Sequence, residues 1–245
     1  STQGYSSAAS DVYKRQKRNS LWYDEYDEQY HDILKRKGAF SMQNYVITIT
    51  RQFGSRGRDI GVAAAKKLGI PLYDRNVLEK EAEEIDSTLH SLVEFSKNGM
   101  SESGYYKMAY PLGIGSALKK DRMFELQSKL VLKHAESENC VIIGRCADYL
   151  LRERENVIRC YIFAPYQARI RNSIMTLGLA NAEPQRIIEE VDKARAEYYR
   201  SHTGCEVNNT RYRDLFLNSN LLGVEGTADL IVDAVRRKFG LPEEK

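Results

Sequence analysis

Nothing in this sequence stays apolar for long. Its longest hydrophobic runs, such as 140–143 and 160–164, fall far short of the roughly twenty residues that span a bilayer. No secretory pattern is visible, so no membrane partner is expected. Cysteine is also scarce. Cys140, Cys146, Cys160 and Cys205 show no CxxC spacing, and two of them sit in strand-like runs where a free thiol behaves as a small buried hydrophobe. A reduced, cytoplasmic protein with structural thiols is the natural expectation. A charge excess is missing as well. With 37 basic and 34 acidic residues and a net +3, bulk electrostatics do not support nucleic-acid binding, so any anion site must be local. The four histidines, His31, His90, His134 and His202, have no sequence partner that suggests a catalytic pair, and neither a Ser-His-Asp nor a zinc arrangement stands out.

The 245 residues fall between the one-domain and two-domain expectations. Residues 6–16 read Ser-Ser-Ala-Ala-Ser-Asp-Val-Tyr-Lys-Arg-Gln, which matches the in-frame translation of a common transposase sequencing adapter at every position. Residues 17–41 are dense in Tyr, Asp, Glu and Lys, with only a partial helical stripe. The stretch Lys37-Gly38-Ala39 can be encoded with a ribosome-binding core ahead of Met42. Residues 1–41 are therefore read as a non-native or disordered extension, and 42–245 as one nucleotide-binding domain of a size that buries a proper core.

Along that domain, 45–50 is β-branched and apolar, then a Gly-rich turn, then Ile60, Ala63, Ala64, Lys67 and Leu68 at helical spacing. Gly69 closes this helix. A short strand over 70–73 and an Asp74 cap precede the helical pattern of Val77, Leu78, Ala82 and Ile85. Residues 97–116 carry four glycines and read as a mobile connection before a helix over 118–138. Strands are expected at 140–143, 157–163 and 212–217, with helices after 145, over 166–177, from 183 through 200, and over 226–239. Strands alternating with helices in this way predict an α/β protein: a parallel sheet with helices on both faces and ligands at the strands' C-terminal ends.

A phosphate bound after the first strand needs inward backbone N–H groups, small residues and a helix N-terminus behind them. The loop Gly54-Ser55-Arg56-Gly57-Arg58 supplies these, although an ordinary tight turn fits the glycines too. Against the pattern GxxxxGK[ST], Gln52 replaces the first Gly, Arg58 stands at the Lys position and Asp59 at the Ser or Thr position. Arg58 keeps the charge and can fork onto phosphate oxygens, which is not what a lysine does. Asp59 has two readings, a magnesium ligand or a helix cap.

The run Ile-Thr-Arg-Gln-Phe-Gly-Ser-Arg-Gly-Arg-Asp-Ile-Gly at 49–61 resembles the opening motif of the cytidylate-kinase-like family, relatives of the P-loop nucleoside monophosphate kinases. Further resemblances follow in order: 68–74 to its second strand, 141–149 to its GRxAD-type segment, 192–200 to its lid helix, and 214–230 to its last strand and helix. The resemblance implies a three-layer P-loop NTPase-like fold with a helical lid. It also implies ATP and Mg2+ as donor and cofactor, and a nucleoside monophosphate, CMP or dCMP among the choices, as acceptor. Catalysis would be positioning and charge neutralisation under a closing lid.

By the same resemblance, Gly54, Ser55, Arg56, Gly57, Arg58 and Asp59 would hold the donor, with Asp59 as the metal residue. Arg145 would hold the acceptor phosphate. Asp148 would contact the acceptor or orient Arg145. Arg195 and Arg200 would close on the phosphates as lid arginines, together with Arg58 as catalytic groups. Asp192 and Arg195 share a helical face from which Arg200 is turned partly away. Asp74 marks the start of the acceptor region, though alone it reads as a helix cap, and Arg169 is a further acceptor candidate, though such helices are usually just surface. Base choice would depend on 74–118. The departures at Arg58 and Asp59 leave a second reading open: a non-catalytic, nucleotide-binding regulatory module with a degenerate loop.

Overall fold

The computed structural model describes residues 44–90, 110–112, 116–177 and 184–242. The extension 1–41 and most of the Gly-rich stretch 97–116 lie outside the described residues. The elements run β1 Val46–Arg51, α1 Gly57–Leu68, β2 Leu72–Tyr73, α2 Arg75–Ile85, α3 Ala117–Ser137, β3 Cys140–Ile143, α4 Ala147–Leu150, β4 Val157–Phe163, α5 Tyr166–Leu177, α6 Pro184–Thr203, β5 Leu215–Asn218 and α7 Ser219–Phe239, with single 3-10 turns at Ser87–Leu89 and Thr210–Tyr212.

The strands form one sheet in the order β2-β3-β1-β4-β5, and every pairing is parallel. The alternation of side chains along a strand divides the core in two. Val46, Cys140, Ile142 and Val157 face Leu78, Ala82, Met123, Leu130 and Val131 of α2 and α3. Ile47, Ile49, Val141, Ile143, Cys160 and Ile162 face Ile60, Ala64, Ala65, Ile231 and Val235 of α1 and α7. This is why β3 reads as an unbroken apolar run and β1 as a β-branched one: a parallel strand covered on both faces has no solvent side to mark with charged residues. Cys140, Cys146 and Cys160 are free and buried among the described residues, and burial pushes the Cys140 and Cys146 thiols up to about 12.

Two expected boundaries differ. The strand expected at 70–73 shortens to two residues because the Ile70 amide closes the end of α1, donating to the Ala65 carbonyl at 3.0 Å, and Pro71 has no amide to give. The last strand starts at Leu215 rather than at 212. Residues 210–212 form a 3-10 turn capped by Asn209, and Arg213 turns its guanidinium into the interior. The final helix begins at Ser219, seven positions before the expected start at 226. It kinks at Gly223, whose φ of 68° is non-helical.

β1 lies in the middle of the sheet, and the chain passes from β3 on one side of it to β4 on the other. A crevice beyond the C-terminal end of the central strand is the geometric result. Over it lies α6, whose Ile187, Ile188 and Val191 pack with Phe53 in a third apolar cluster.

Candidate functional site

Two turns form the floor of the crevice. The first, after β1, sets Gly54 at φ +74° and Arg56 at φ +58°, and α1 begins at Gly57. The first intrahelical bond of α1 is from Ile60 N–H to the Arg56 carbonyl, so the amides of Gly57, Arg58 and Asp59 have no acceptor within the helix, the usual condition of a helix N-terminus. A partial positive charge and exposed donors there suit an anion.

This loop is fixed from several sides. Gln52 Oε1 accepts from the Ala164 amide at 3.3 Å, and Ser55 Oγ donates to the Gln52 carbonyl at 2.8 Å. Asp192 Oδ1 accepts from Phe53 N–H at 2.7 Å, while Arg169 Nε donates to the Phe53 carbonyl at 2.7 Å. Arg169 and Asp192 are themselves ion-paired, and Asn172 Nδ2 donates to the Gly54 carbonyl at 2.9 Å. Gly54 sits so tightly on α5 that a Cβ would lie 2.6 Å from the Arg169 carbonyl oxygen.

The second turn, after β3, places Gly144, Arg145 and Cys146 at φ +73°, +57° and +55° in succession. Left-handed backbone costs a non-glycine residue about 1–2 kcal/mol, and such residues cluster at functional sites. Among the described residues, all three non-glycine residues with positive φ, Arg56, Arg145 and Cys146, fall in these two turns.

Between the turns and α6 lies a cavity lined by four arginines, Arg51, Arg75, Arg145 and Arg195, with Thr50, Gly144, Cys146, Tyr198 and Tyr199, and among the described residues no acidic side chain lines it. Burial, and then Arg195 and Arg145, hold the Arg51 guanidinium well below the usual arginine range. Among the described residues it has no hydrogen bond or ion pair. A Cβ at Gly144 would come within 2.8 Å of Arg51 Nη1, so the glycine leaves room for that guanidinium at the cavity floor. Arg195 donates to the Arg51 carbonyl at 3.3 Å and lies 5.7 Å from the Phe53 ring centre. Burial first, then Arg145, Arg169 and Arg75, push it down to about 10 against the pull of Asp192. Arg145 Nη1 donates to the Pro111 carbonyl at 2.8 Å, its guanidinium lies 4.9 Å from the Tyr198 ring centre, and its Nε is buried without a partner. Burial and Arg145 lower Arg75, which Glu79 opposes through a 2.5 Å contact.

Four cations converging without lining carboxylates repel one another in a partly desolvated space. An anion of more than one charge would relieve that cost.

The expected residues are distributed unevenly around this centre. Arg145 and Arg195 line the cavity. Arg58 does not line it and pairs with Asp74 at 2.9 Å. Asp74 also caps α2, accepting from Asn76 and Val77 N–H. Burial pushes the Asp74 carboxyl up, but Arg58 and those amides outweigh it and hold the group below its ordinary value. Asp59 is half-buried and pairs with Arg56 at 3.0 Å. It lies in the first turn of α1, while Arg56, which lacks a side-chain cap, is the capping residue. Asp148 is not paired with Arg145. It is buried against Arg213 and the Tyr199 hydroxyl, the latter at 3.0 Å. Arg169 is buried in the loop clamp rather than turned into the cavity. Arg200 stands at the outer end of α6, exposed and bonded to Glu206 at 2.7 and 2.8 Å. Arg51 and Arg75 are cavity residues that the sequence reading did not single out. A lone arginine ending an apolar strand, and another following a helix cap, were the available signals.

Among the described residues no group of three His, Cys, Asp or Glu is placed to hold a metal ion, and no helix is long and apolar enough to cross a membrane.

Among solved structures, the chain is similar to an uncharacterized protein from Eubacterium ventriosum ATCC 27560, at 20% identity and a TM-score of 0.60 over 78% of this chain and 98% of that one. Weaker likenesses include a shikimate kinase from Acinetobacter baumannii in complex with shikimate, at 12% identity and a TM-score of 0.47 over 80% and 95% of the two chains. A gluconokinase from Sinorhizobium meliloti 1021 is similar at 10% identity and 0.46 over 81% and 93%. No curated protein matches. The model of the cytidylate kinase-like family matches residues 46–221. The fold is a three-layer α/β fold, a parallel sheet with helices on both faces, and the family supports a phosphotransferase. The chain belongs to the cytidylate kinase-like family.

Proposed function

We propose that the chain transfers the γ-phosphoryl group of ATP to a nucleoside monophosphate, with CMP or dCMP the acceptors that its family suggests. The observation that carries this reading is the cavity lined by four arginines and, among the described residues, no carboxylate, beside a loop that presents helix-terminal amides. The donor's phosphates lie on residues 54–58, and the acceptor's phosphate lies among Arg51, Arg145 and Arg195. An acceptor phosphate oxygen attacks the γ phosphorus, the bond to the β–γ bridging oxygen breaks, and ADP leaves with that electron pair. The side chains hold and neutralise; none needs to form a covalent bond. Arg58 moves from Asp74 onto the donor, which frees the Asp74 carboxylate to meet the acceptor. Tyr198, beside Arg145, gives the acceptor an aromatic wall. Arg169 and Asp148 act through the groups they hold rather than by contact.

Magnesium normally takes one or two carboxylates and completes its shell with phosphate oxygens and water. Asp59 supplies one partly accessible carboxylate in the first turn of α1, which fits that minimal demand. Bound there, the ion would neutralise charge on the donor phosphates. Free thiols and a nucleotide donor suit the cytoplasm.

A non-catalytic nucleotide-binding module is the second reading, favoured by the engagement of Arg58 with Asp74 and of Asp59 with Arg56. The full chain assayed with ATP, Mg2+ and each nucleoside monophosphate separates the two. ADP formation that depends on one acceptor supports the kinase, and nucleotide binding with no turnover on any acceptor supports the module. Arg58→Ala is expected to weaken ATP binding about tenfold to a hundredfold, the range for one lost charge-assisted contact. Calorimetric titration checks this, and an unchanged dissociation constant removes Arg58 from the site.

A further inference from the structure

The Phe53 peptide is held at both ends by one ion pair. Asp192 takes its N–H at 2.7 Å, Arg169 takes its carbonyl at 2.7 Å, and the two side chains bond each other. Asp192 belongs to α6 and Arg169 to α5, so the phosphate loop is gripped by two helices that are remote from it in sequence. The same stretch of α6 delivers Arg195 to the cavity, one turn beyond Asp192, and Arg195 also bonds the Arg51 carbonyl at 3.3 Å. Phe53 packs its ring against Ile187, Ile188 and Val191 of that helix. One face of α6 therefore both arms the cavity and shapes the loop. Arg169 is 7% exposed, and a carboxylate bonded to both an amide and a guanidinium in such a setting is costly to replace with a neutral group.

We propose that Asp192, acting with Arg169, is a positioning pair for the donor: it sets the backbone of residues 53–57 so that the loop's amides converge on phosphate. Neither side chain touches substrate. This rests on the proposed placement of donor phosphates on the loop. Its specific consequence is a division of labour: loss of the pair damages donor binding and spares acceptor binding, although Arg195 on the same helix serves the acceptor.

The test uses the full chain with Asp192→Asn, Arg169→Lys and, as control, Lys193→Ala, an exposed neighbour on α6. Three quantities are read: the dissociation constant for MgATP, the KM values for ATP and acceptor, and hydrogen exchange of amides 53–57. Asp192→Asn and Arg169→Lys are expected to raise the MgATP dissociation constant and the KM for ATP tenfold or more. They should leave the acceptor KM within twofold and speed exchange at 53–57, while Lys193→Ala changes none of these. A MgATP affinity within twofold of the parent with unaltered exchange overturns the proposal, as does an equal rise in both KM values. Should Asp192→Asn not fold, Arg169→Lys, which keeps its charge, is read by the same criteria. If the parent chain binds no MgATP, the phosphotransfer reading fails on its own. The donor role falls with it, and the exchange arm then tells the two failures apart: faster exchange keeps the pair as what sets the backbone of 53–57, and unchanged exchange ends that as well.

Discussion

Arg51→Ala is expected to lower kcat/KM for phosphoryl transfer about a hundredfold to a thousandfold, the range for removing one preorganised charge-stabilising group, while leaving the protein at least as stable as before. The two halves of this expectation have one origin. The Arg51 guanidinium gives no hydrogen bond or ion pair to the described protein, and its charged form is disfavoured by burial, Arg195 and Arg145. Removing it relieves repulsion in the empty site and removes attraction from the filled one. Its backbone carbonyl, which Arg195 uses, survives the substitution. Steady-state kinetics beside thermal unfolding check both halves. Arg51→Lys should recover little, because a point charge does not reproduce a fork at the Gly144 floor. A variant that is less stable and fully active would assign Arg51 to structure instead. Anions should act in the opposite sense to the mutation: ATP or inorganic phosphate, binding only the folded protein, raises the parent's melting temperature with concentration, and this rise shrinks in Arg51→Ala.

The second large effect concerns stability. Asp148→Ala is expected to destabilise the fold by about 3–5 kcal/mol, the cost of stranding one member of a buried ion pair. Asp148 and Arg213 are 1% and 9% exposed, and burial pushes Arg213 down to about 10. Arg213 also donates to the Val207 carbonyl at 3.1 Å, so with the Tyr199 hydroxyl the pair joins α4, the outer part of α6 and the approach to β5. Urea unfolding measures the loss. The double substitution Asp148→Leu with Arg213→Met should cost less than the sum of the two single ones, since it leaves no uncompensated charge. A loss under about 1 kcal/mol, the net worth of one ordinary hydrogen bond, would refute the buried-pair assignment.

The elements that local pattern controls were legible in the sequence. β1, β3 and β4 are largely apolar because both faces of a parallel strand are covered, and Asp74 caps α2 because a short carboxylate before a helix meets its first amides. The loop at 54–58 was legible for the same reason, as a Gly-rich turn between strand and helix. The cavity was not. Arg51, Arg75, Arg145 and Arg195 come from four elements, and only the strand order, with β3 inserted between β2 and β1, brings the ends of β1 and β3 and the start of α2 together. Asp148 illustrates the same limit. Three residues from Arg145, it invited a local pairing, yet the left-handed turn at 144–146 sends the two side chains apart and a residue 65 positions later takes the carboxylate. Start points slipped where a polar group had a tertiary partner. Asp214 Oδ2 accepts from Arg159 N–H at 2.7 Å, so a stretch that reads as strand is first an anchor.

The left-handed turn at Gly144, Arg145 and Cys146 also sets chain geometry against chemistry at a single position. A glycine at 145 would sit in that backbone more comfortably than the arginine does, by roughly 1 kcal/mol, and would empty one wall of the cavity. Against that gain stand the bond from Arg145 to the Pro111 carbonyl and its place beside the Tyr198 ring, which such a glycine would forfeit. Backbone comfort and side-chain anchoring thus pull in opposite directions at one position, and the arginine holds a strained turn that its own contacts help to offset.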